Sequence, residues 1–310
     1  MEISLILMRE IAKLFLILLM GYAIVKTGRL RASDSRVVSA LLVYLILPCM
    51  IIHAFQIDYT PQVRDGLLFA LAAAAGVHLL FLLLDALLRR PLRLNVIERL
   101  TVVYTNAGIL VIPLIQALLG EEYVVYSCAF IVVQLLLLWT HCRGLLCGGG
   151  RIEWRKILGN INLISIAVGA FLFFAGLRLP AVLDGTITMM ADMVGPAGML
   201  LAGMVIADTP LLKVFADRRS YLTLVLRLLF APLLLLVLLK LLNVASLLPD
   251  GKNILLTVYL ASITPACATV TSMAQLYGAD AAYSSRLYVL TTTFSILSMP
   301  LMIGLYNMWI

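Results

Sequence analysis

Residues 102–120 read VVYTNAGILVIPLIQALLG, and residues 254–278 read ILLTVYLASITPACATVTSMAQLYG. Each stretch is long and apolar enough to cross a bilayer, yet each has a proline near its middle, Pro113 in the first and Pro265 in the second. Proline lacks a backbone donor and frees a carbonyl one turn back, so we expect both helices to break. Two breaks at the same depth can cross, and each would expose a helix N-terminus that suits an anion.

The whole chain has the composition of an integral membrane protein. Of its 310 residues 63% are hydrophobic and 13% are charged, and the mean hydropathy is +1.07. A soluble domain is typically about 45–50% apolar and about 25% charged. These values exclude an ordinary soluble protein and predict an all-α protein in the lipid bilayer. The net charge of +7 forms no concentrated basic face, so nucleic acid is not an expected partner.

Apolar runs of about 20 residues predict ten transmembrane helices. Their expected bounds are 4–25, 37–56, 65–87, 100–119, 123–142, 161–177, 186–207, 220–242, 253–276 and 283–308. Lysine and arginine favour cytoplasmic loops, and the odd-numbered connections hold 16 such residues against three in the even loops. We therefore expect a multi-pass protein of the plasma (inner) membrane with both termini on the extracytoplasmic side.

The longest polar stretch divides the chain near its middle. It predicts a first five-helix repeat over residues 1–142, a cytoplasmic connecting loop over 143–160 and a second repeat over 161–310. Because five is odd, the second repeat enters the membrane inverted. The interrupting prolines lie 65 residues apart in the first repeat and 69 in the second: Pro48 with Pro113, and Pro196 with Pro265. Such pairs point to the binding site of a secondary transporter, although prolines also merely kink membrane helices.

The residues around the two prolines are the candidate substrate-binding residues. Asn106 can donate and accept hydrogen bonds, either to a ligand or to another helix. Gln134 and His141 share one face of helix 5, where they either line a pathway or join helices. The full set is Asn106, Gly108, Pro113, Gln134, Ser262, Thr264, Pro265 and Thr269.

Few charged groups lie inside the predicted spans. Arg227 lies about two turns inside helix 8, where it either serves the site or snorkels towards the cytoplasmic face. Asp85, near the inner end of helix 3, can pair with Arg89. The roles of His78 and Asp192 stay open. The five cysteines form no CxxC pair, and no nucleotide-binding or hydrolase motif is present, so we expect no metal, no cofactor and no enzyme.

Several stretches together resemble one transporter family. Residues 105–122, TNAGILVIPLIQALLGEE, and 131–144, IVVQLLLLWTHCRG, resemble helices 4 and 5 of the auxin efflux carrier (AEC/PIN) family. Residues 261–280, ASITPACATVTSMAQLYGAD, and 291–301, TTTFSILSMPL, resemble its broken helix 9 and its last helix. GYAIVKTGRL followed by LVYLILPCMI resembles the first two helices. The resemblance covers nearly the whole chain and is to the short, prokaryotic type.

The resemblance implies how such a protein works. It implies crossed helices 4 and 9, with Asn106, Pro113 and Pro265 on the crossing, and an architecture similar to the bile-acid/sodium symporters. Helices 1, 2, 6 and 7 would form a scaffold and the others a mobile transport domain, in a homodimer with elevator-like alternating access. The implied substrates are small mono- or dicarboxylates, such as auxin-like acids or malonate. On helix 7, Gly195 and Gly198 share a face with Ala202, which suits close helix packing or a dimer contact.

Two other functions remain open from the sequence. The first is a sodium-coupled organic-anion symporter of the bile-acid carrier type. Oxygen ligands for sodium would come from the broken helix 9: Ser262, Thr264, Thr269 and Thr271. The second is a membrane-embedded receptor or structural protein, which would catalyse no flux of a labelled solute.

Overall fold

The computed structural model describes residues 2–149, 155, 158–209 and 211–310. The chain is 82% helical. In the part described, strand-like pairing consists of one isolated antiparallel bridge, between Thr105 and Ala266. Among the described residues, six helical stretches are long and apolar enough to cross a membrane, as judged by length and composition. The predicted all-α membrane class is therefore confirmed.

The first part of the chain forms helices α1 to α8. Their bounds are α1 Glu2–Lys26, α2 Ser35–Leu41, α3 Leu47–Ala54, α4 Pro61–Leu88, α5 Val96–Val103, α6 Ala107–Leu118, α7 Val124–Leu137 and α8 Arg143–Leu146. The π-helical segments Leu42–Ile46 and Leu138–Cys142 join α2 to α3 and α7 to α8. At the start of α5, Asn95 and Glu98 form a capping box, which explains why the helix begins there.

The second part of the chain forms helices α9 to α17. Their bounds are α9 Ile161–Phe174, α10 Ala181–Ala191, α11 Val194–Asp208, α12 Leu211–Ala216, α13 Arg218–Val225, α14 Ala231–Leu241, α15 Gly251–Ile263, α16 Ala268–Leu276 and α17 Ala281–Trp309. The π-helical segment Leu226–Phe230 joins α13 to α14. Asn160 and Asp217 cap α9 and α13 through their side-chain oxygens.

The helix interruptions do not all lie at the predicted prolines. Pro265 lies in the break between α15 and α16, as predicted. The prediction that Pro113 breaks helix 4 is wrong, because α6 continues through Pro113 and the break lies earlier, at residues 104–106. In the predicted seventh span, residues 186–207, the chain turns at residues 192–193, between α10 and α11 and just before Pro196. Pro196 lies in the first turn of α11, where a missing N–H removes no helical hydrogen bond.

The helices pack in two groups. One group contains α1, α2, α3, α9, α10 and α11; α1 lies along α11, and α3 contacts α9 and α10. A methyl group at Gly203 would lie 2.0 Å from the Leu18 carbonyl oxygen, so only glycine allows α1 and α11 to approach this closely. Gly198 and Ala202 are buried inside the chain on the same helix. Close helix packing, rather than a dimer contact, therefore explains this small-residue face.

The second group contains α4 to α8 and α12 to α17, and polar side chains connect many of its helices. Asp85 of α4 forms a bidentate pair with Arg99 of α5, at 2.8 and 2.9 Å. The prediction that Asp85 pairs with Arg89 is wrong: Arg89 is exposed, whereas the Arg99 guanidinium matches the carboxylate geometry. Buried Glu98 accepts hydrogen bonds from Arg219 of α13 at 2.6 Å and from Tyr283 of α17 at 3.0 Å.

Two described polar contacts run between the two groups. The Thr209 and Ser285 hydroxyls lie 3.2 Å apart, and His53 Nε2 lies 3.8 Å from a Glu121 carboxylate oxygen. The rest of the described boundary is largely apolar, where α6 and α17 face α1 and α11. The strongest described polar contacts therefore lie within each group rather than between the two.

Candidate functional site

The two broken helices cross at their breaks. The Asn106 N–H donates to the Pro265 carbonyl at 2.9 Å, and the Cys267 N–H donates to the Tyr104 carbonyl at 3.3 Å. These bonds form the antiparallel bridge centred on Thr105 and Ala266. They replace the helical hydrogen bonds that each chain loses where it unwinds.

Side chains from neighbouring helices hold both breaks open. The Gln134 carboxamide of α7 binds the Thr105 backbone twice, accepting from its N–H at 3.0 Å and donating to its carbonyl at 2.9 Å. The Thr105 hydroxyl also donates to Gln134 Oε1, at 2.9 Å. In the second break, the Ala266 N–H donates to the Thr291 hydroxyl of α17 at 3.1 Å. Gln134 thus joins two helices through three hydrogen bonds, which is one of its two predicted roles.

The N-terminal ends of α6 and α16 are the open part of the crossing. Asn106 and Cys267 are their N-cap residues, and neither side chain caps its helix. The Asn106 side chain is 5% exposed and makes no hydrogen bond to the described residues. Gly108 leaves open space where a Cβ would lie, and Thr269 is exposed. First-turn N–H groups, an unbonded carboxamide and the Thr269 hydroxyl therefore lie at two positive helix ends, where the Val270 N–H already donates to the Cys267 carbonyl.

The C-terminal ends of α5 and α15 converge on Arg227. Its side chain is fully buried, and it donates to the carbonyl oxygens of Val102, Ser262 and Thr264. Of the two alternatives that the sequence leaves open for Arg227, the structure excludes snorkelling to the cytoplasmic face, because these carbonyls satisfy the guanidinium inside the protein. The Ser262 and Thr264 hydroxyls donate to the carbonyls of Tyr259 and Ala261 in their own helix. Ser262 and Thr264 therefore lie on the side of the crossing that Arg227 occupies, and not at the N-terminal ends of α6 and α16.

Pro113 lies away from the crossing, in the second turn of α6. Its Cγ lies 3.0 Å from the place where Gly195 would carry a Cβ, so it packs at the boundary between the two helix groups. A cavity of about 30 Å³ lies at the same boundary, lined by Leu110 of α6 and Met199 of α11. Thr292 of α17 also lines it, and its buried hydroxyl has no hydrogen-bond partner in the described chain.

The two remaining titratable residues of open role differ in their surroundings. His78 is buried in α4, with Nδ1 2.8 Å from the Ala74 carbonyl oxygen and its ring 4.4 Å from that of Phe130. Asp192 is exposed at the end of α10. Among the described residues, no group of three or more His, Cys, Asp or Glu side chains is placed to hold a metal ion.

The charges at the crossing are unevenly compensated. Each helix end carries roughly half an elementary charge, negative at the C-terminus and positive at the N-terminus. Arg227 neutralises the two negative ends. Residues 100–119 and 253–277 contain no Asp or Glu, and Glu98 at the start of α5 is bound to Arg219 and Tyr283, so neither broken helix places an acid at the positive ends. The arrangement can therefore accept one negative charge at the ends of α6 and α16.

Sequence comparison places the chain among transport proteins. A family model described as membrane transport protein matches residues 6–147 and 149–303, which is nearly the whole chain. Both broken helices fall inside the matched ranges. No individually curated protein matches the chain.

Proposed function

Because the chain belongs to the auxin efflux carrier family of membrane transport proteins, we propose that it is a secondary carrier of small organic anions. In this proposal it is a permease of the plasma membrane that moves mono- or dicarboxylates by an elevator-type mechanism. The substrate crosses the membrane chemically unchanged.

The observation that carries this proposal is the uncompensated positive charge at the crossing. Two helix N-termini of roughly half a charge each attract one carboxylate without placing a lysine or arginine there. Asn106 would add a directed hydrogen bond, since its carboxamide is unbonded in the described chain. Gly108 lets a ligand approach the backbone, and Thr269 offers a hydroxyl.

The division into two helix groups supports the elevator mechanism. The broken helices belong wholly to the second group, so the proposed site would move with that group. The cavity of about 30 Å³ at the boundary has room for about one water molecule, far less than the roughly 300 Å³ of a small ligand pocket. In the proposed mechanism, relative movement of the two groups opens a path for an organic acid at this boundary.

The arrangement in the membrane is part of the same proposal. Two inverted five-helix repeats would place the crossing near the bilayer midplane, and the lysine and arginine distribution would place both termini outside. The homodimer rests on family membership. A labelling tag after Ile310 should react in intact cells. Reaction only after the cytoplasm is opened would overturn the orientation.

Transport by the purified protein tests the proposed function. Proteoliposomes should accumulate radiolabelled malonate or an indole monocarboxylate when the unlabelled acid is trapped inside. Asn106→Ala should slow this exchange at least tenfold, whereas Gln275→Leu, an exposed change on α16, should not. Absence of flux for a panel of mono- and dicarboxylates would favour the receptor alternative and overturn the carrier.

A further inference from the structure

Arg227 is a buried cation surrounded by backbone carbonyls from both broken helices. Nε donates to the Thr264 carbonyl at 3.1 Å, Nη1 to the Val102 carbonyl at 3.2 Å, and Nη2 to the Thr264 carbonyl at 2.7 Å and to that of Ser262. The guanidinium also lies 5.4 Å from the centre of the Phe81 ring. No carboxylate pairs with it in the described chain, so the carbonyl dipoles and the face of the Phe81 ring balance its charge.

The local sequence explains how this side chain reaches the crossing. Arg227 lies in the π-helical segment Leu226–Phe230. This segment leads into α14, which has Pro232 in its first turn. Pro232 has no N–H to donate to the carbonyl four residues back, and a π-bulge is one way in which a helix accommodates such a gap. Single-turn π-bulges occur often at functional sites.

Backbone carbonyls at half-helix C-termini are the groups that coordinate the driving cation in sodium-coupled transporters. Here the carbonyls of α5 and α15 already bind a guanidinium. Other oxygens of the broken helix formed by α15 and α16 also have partners. The Ser262 and Thr264 hydroxyls donate to carbonyls of α15, and the Thr271 hydroxyl lies 2.8 Å from that of Ser284. The oxygen ligands that would serve sodium are therefore largely occupied.

We propose that Arg227 is a built-in cation, which occupies the carbonyl cage of the crossing and replaces a coupling sodium ion. Its charge neutralises the negative ends of α5 and α15, so that an anion at the adjacent positive ends meets no repulsion from them. Arg227 is thus a positioning residue that does not contact the anion. The part of this inference that concerns anion affinity rests on the proposed function, whereas the occupied cage does not.

The first experiment tests the cage itself, without any substrate. The melting temperatures of the parent, Arg227→Ala, Arg227→Lys and Arg218→Ala are measured with added guanidinium chloride or sodium chloride at equal millimolar ionic strength. Arg218 is an exposed arginine of α13 and serves as the matched control. Arg227→Ala should have a lower melting temperature than the parent. Guanidinium should raise the melting temperature of Arg227→Ala, and it should lower or leave unchanged the melting temperatures of the other three proteins. A response shared by all four proteins would overturn the proposal.

Arg227→Lys keeps the charge but loses the planar fork, so it should melt between the parent and Arg227→Ala. If Arg227→Ala does not fold, this variant and hydrogen exchange at the Asn106 and Cys267 amides carry the test. These two amides form the crossing bonds, and their exchange should quicken more in Arg227→Lys than in Arg218→Ala. Equal protection in both variants would contradict the cage.

The second experiment tests the replacement of sodium. Binding of malonate and of an indole monocarboxylate to the parent should change less than twofold when choline replaces sodium. Arg227→Ala should bind at least tenfold more weakly, and guanidinium should restore part of the affinity. A tenfold loss of parent affinity without sodium would overturn the built-in cation. If neither acid binds, the proposed function fails, but the melting experiment still tests whether Arg227 occupies the carbonyl cage.

Discussion

Replacing Gln134 by leucine tests how the break between α5 and α6 is held open. The variant removes three hydrogen bonds, two to the Thr105 backbone and one to its hydroxyl. Thr105 is fully buried, so its N–H and carbonyl would lose their partners where water does not reach them. A buried unsatisfied polar group costs about 1–3 kcal/mol, which gives about 2–6 kcal/mol for the two backbone groups.

Measurements on membrane proteins give a smaller loss in the free energy of unfolding. There an interhelical hydrogen bond contributes about 0.6 kcal/mol on average, because the unfolded chain also finds partners in the membrane. Three such bonds give about 2 kcal/mol, which meets the lower end of the first range. We therefore expect Gln134→Leu to lose at least about 2 kcal/mol, or a melting temperature lower by roughly 4 °C or more.

The assay is thermal unfolding in detergent with Gln275→Leu as the control, since Gln275 is exposed on α16. Hydrogen exchange provides a local measurement on the same samples, because the Thr105 amide donates to Gln134 in the parent. It should exchange faster in Gln134→Leu only. If Gln134→Leu melts with the control and its Thr105 amide stays protected, the carboxamide does not hold the break.

The packing and the motion of the helix groups give three more predictions. Gly203→Ala should severely destabilise the protein, because its Cβ would lie 2.0 Å from a backbone oxygen, whereas Gly304→Ala has open space; equal melting temperatures would refute this. Glu98→Ala should cost about 1–3 kcal/mol, since the buried Tyr283 hydroxyl and the Asn95 N–H lose their acceptor while Arg219 is partly exposed, and an unchanged stability in denaturant unfolding would contradict it. A disulfide between Thr209→Cys and Ser285→Cys should stop transport reversibly, as shown by recovery with reductant; undiminished flux in the oxidised protein would contradict relative motion of the groups.

The sequence predicts the helical class and the crossing because both depend on local properties. Apolar runs define spans, and Pro265 cannot continue a helix hydrogen-bond pattern. The position of the first break could not be read in this way. It depends on Gln134 and Pro265, which offer the unwound backbone alternative hydrogen bonds from distant parts of the chain. Pro113 alone removes one hydrogen bond, and α6 continues through it.

The role of Arg227 shows the same limit. A single arginine inside an apolar helix is equally compatible with snorkelling and with burial. Its partners are backbone carbonyls, which every residue has, so no pattern of side chains in the sequence predicts them. The π-bulge before Pro232 is the nearest sequence signal. Likewise, Asp85 has several arginines within reach along the sequence, and only the packing of α5 against α4 selects Arg99.

The affinity of three proteins for the carboxylate that the parent transports fastest tests the central claim most directly. The proteins are the parent, Asn106→Ala and Asn106→Asp, measured by calorimetry together with their melting temperatures. A hydrogen bond to a charged group contributes about 1.5–3 kcal/mol, so Asn106→Ala should bind tenfold more weakly or worse. Asn106→Asp should be weaker still, because it sets a like charge against the anion. Both should melt near the parent, since the Asn106 side chain makes no hydrogen bond to the described residues. If Asn106→Asp binds the anion as tightly as the parent while melting normally, the carboxylate does not bind at this crossing.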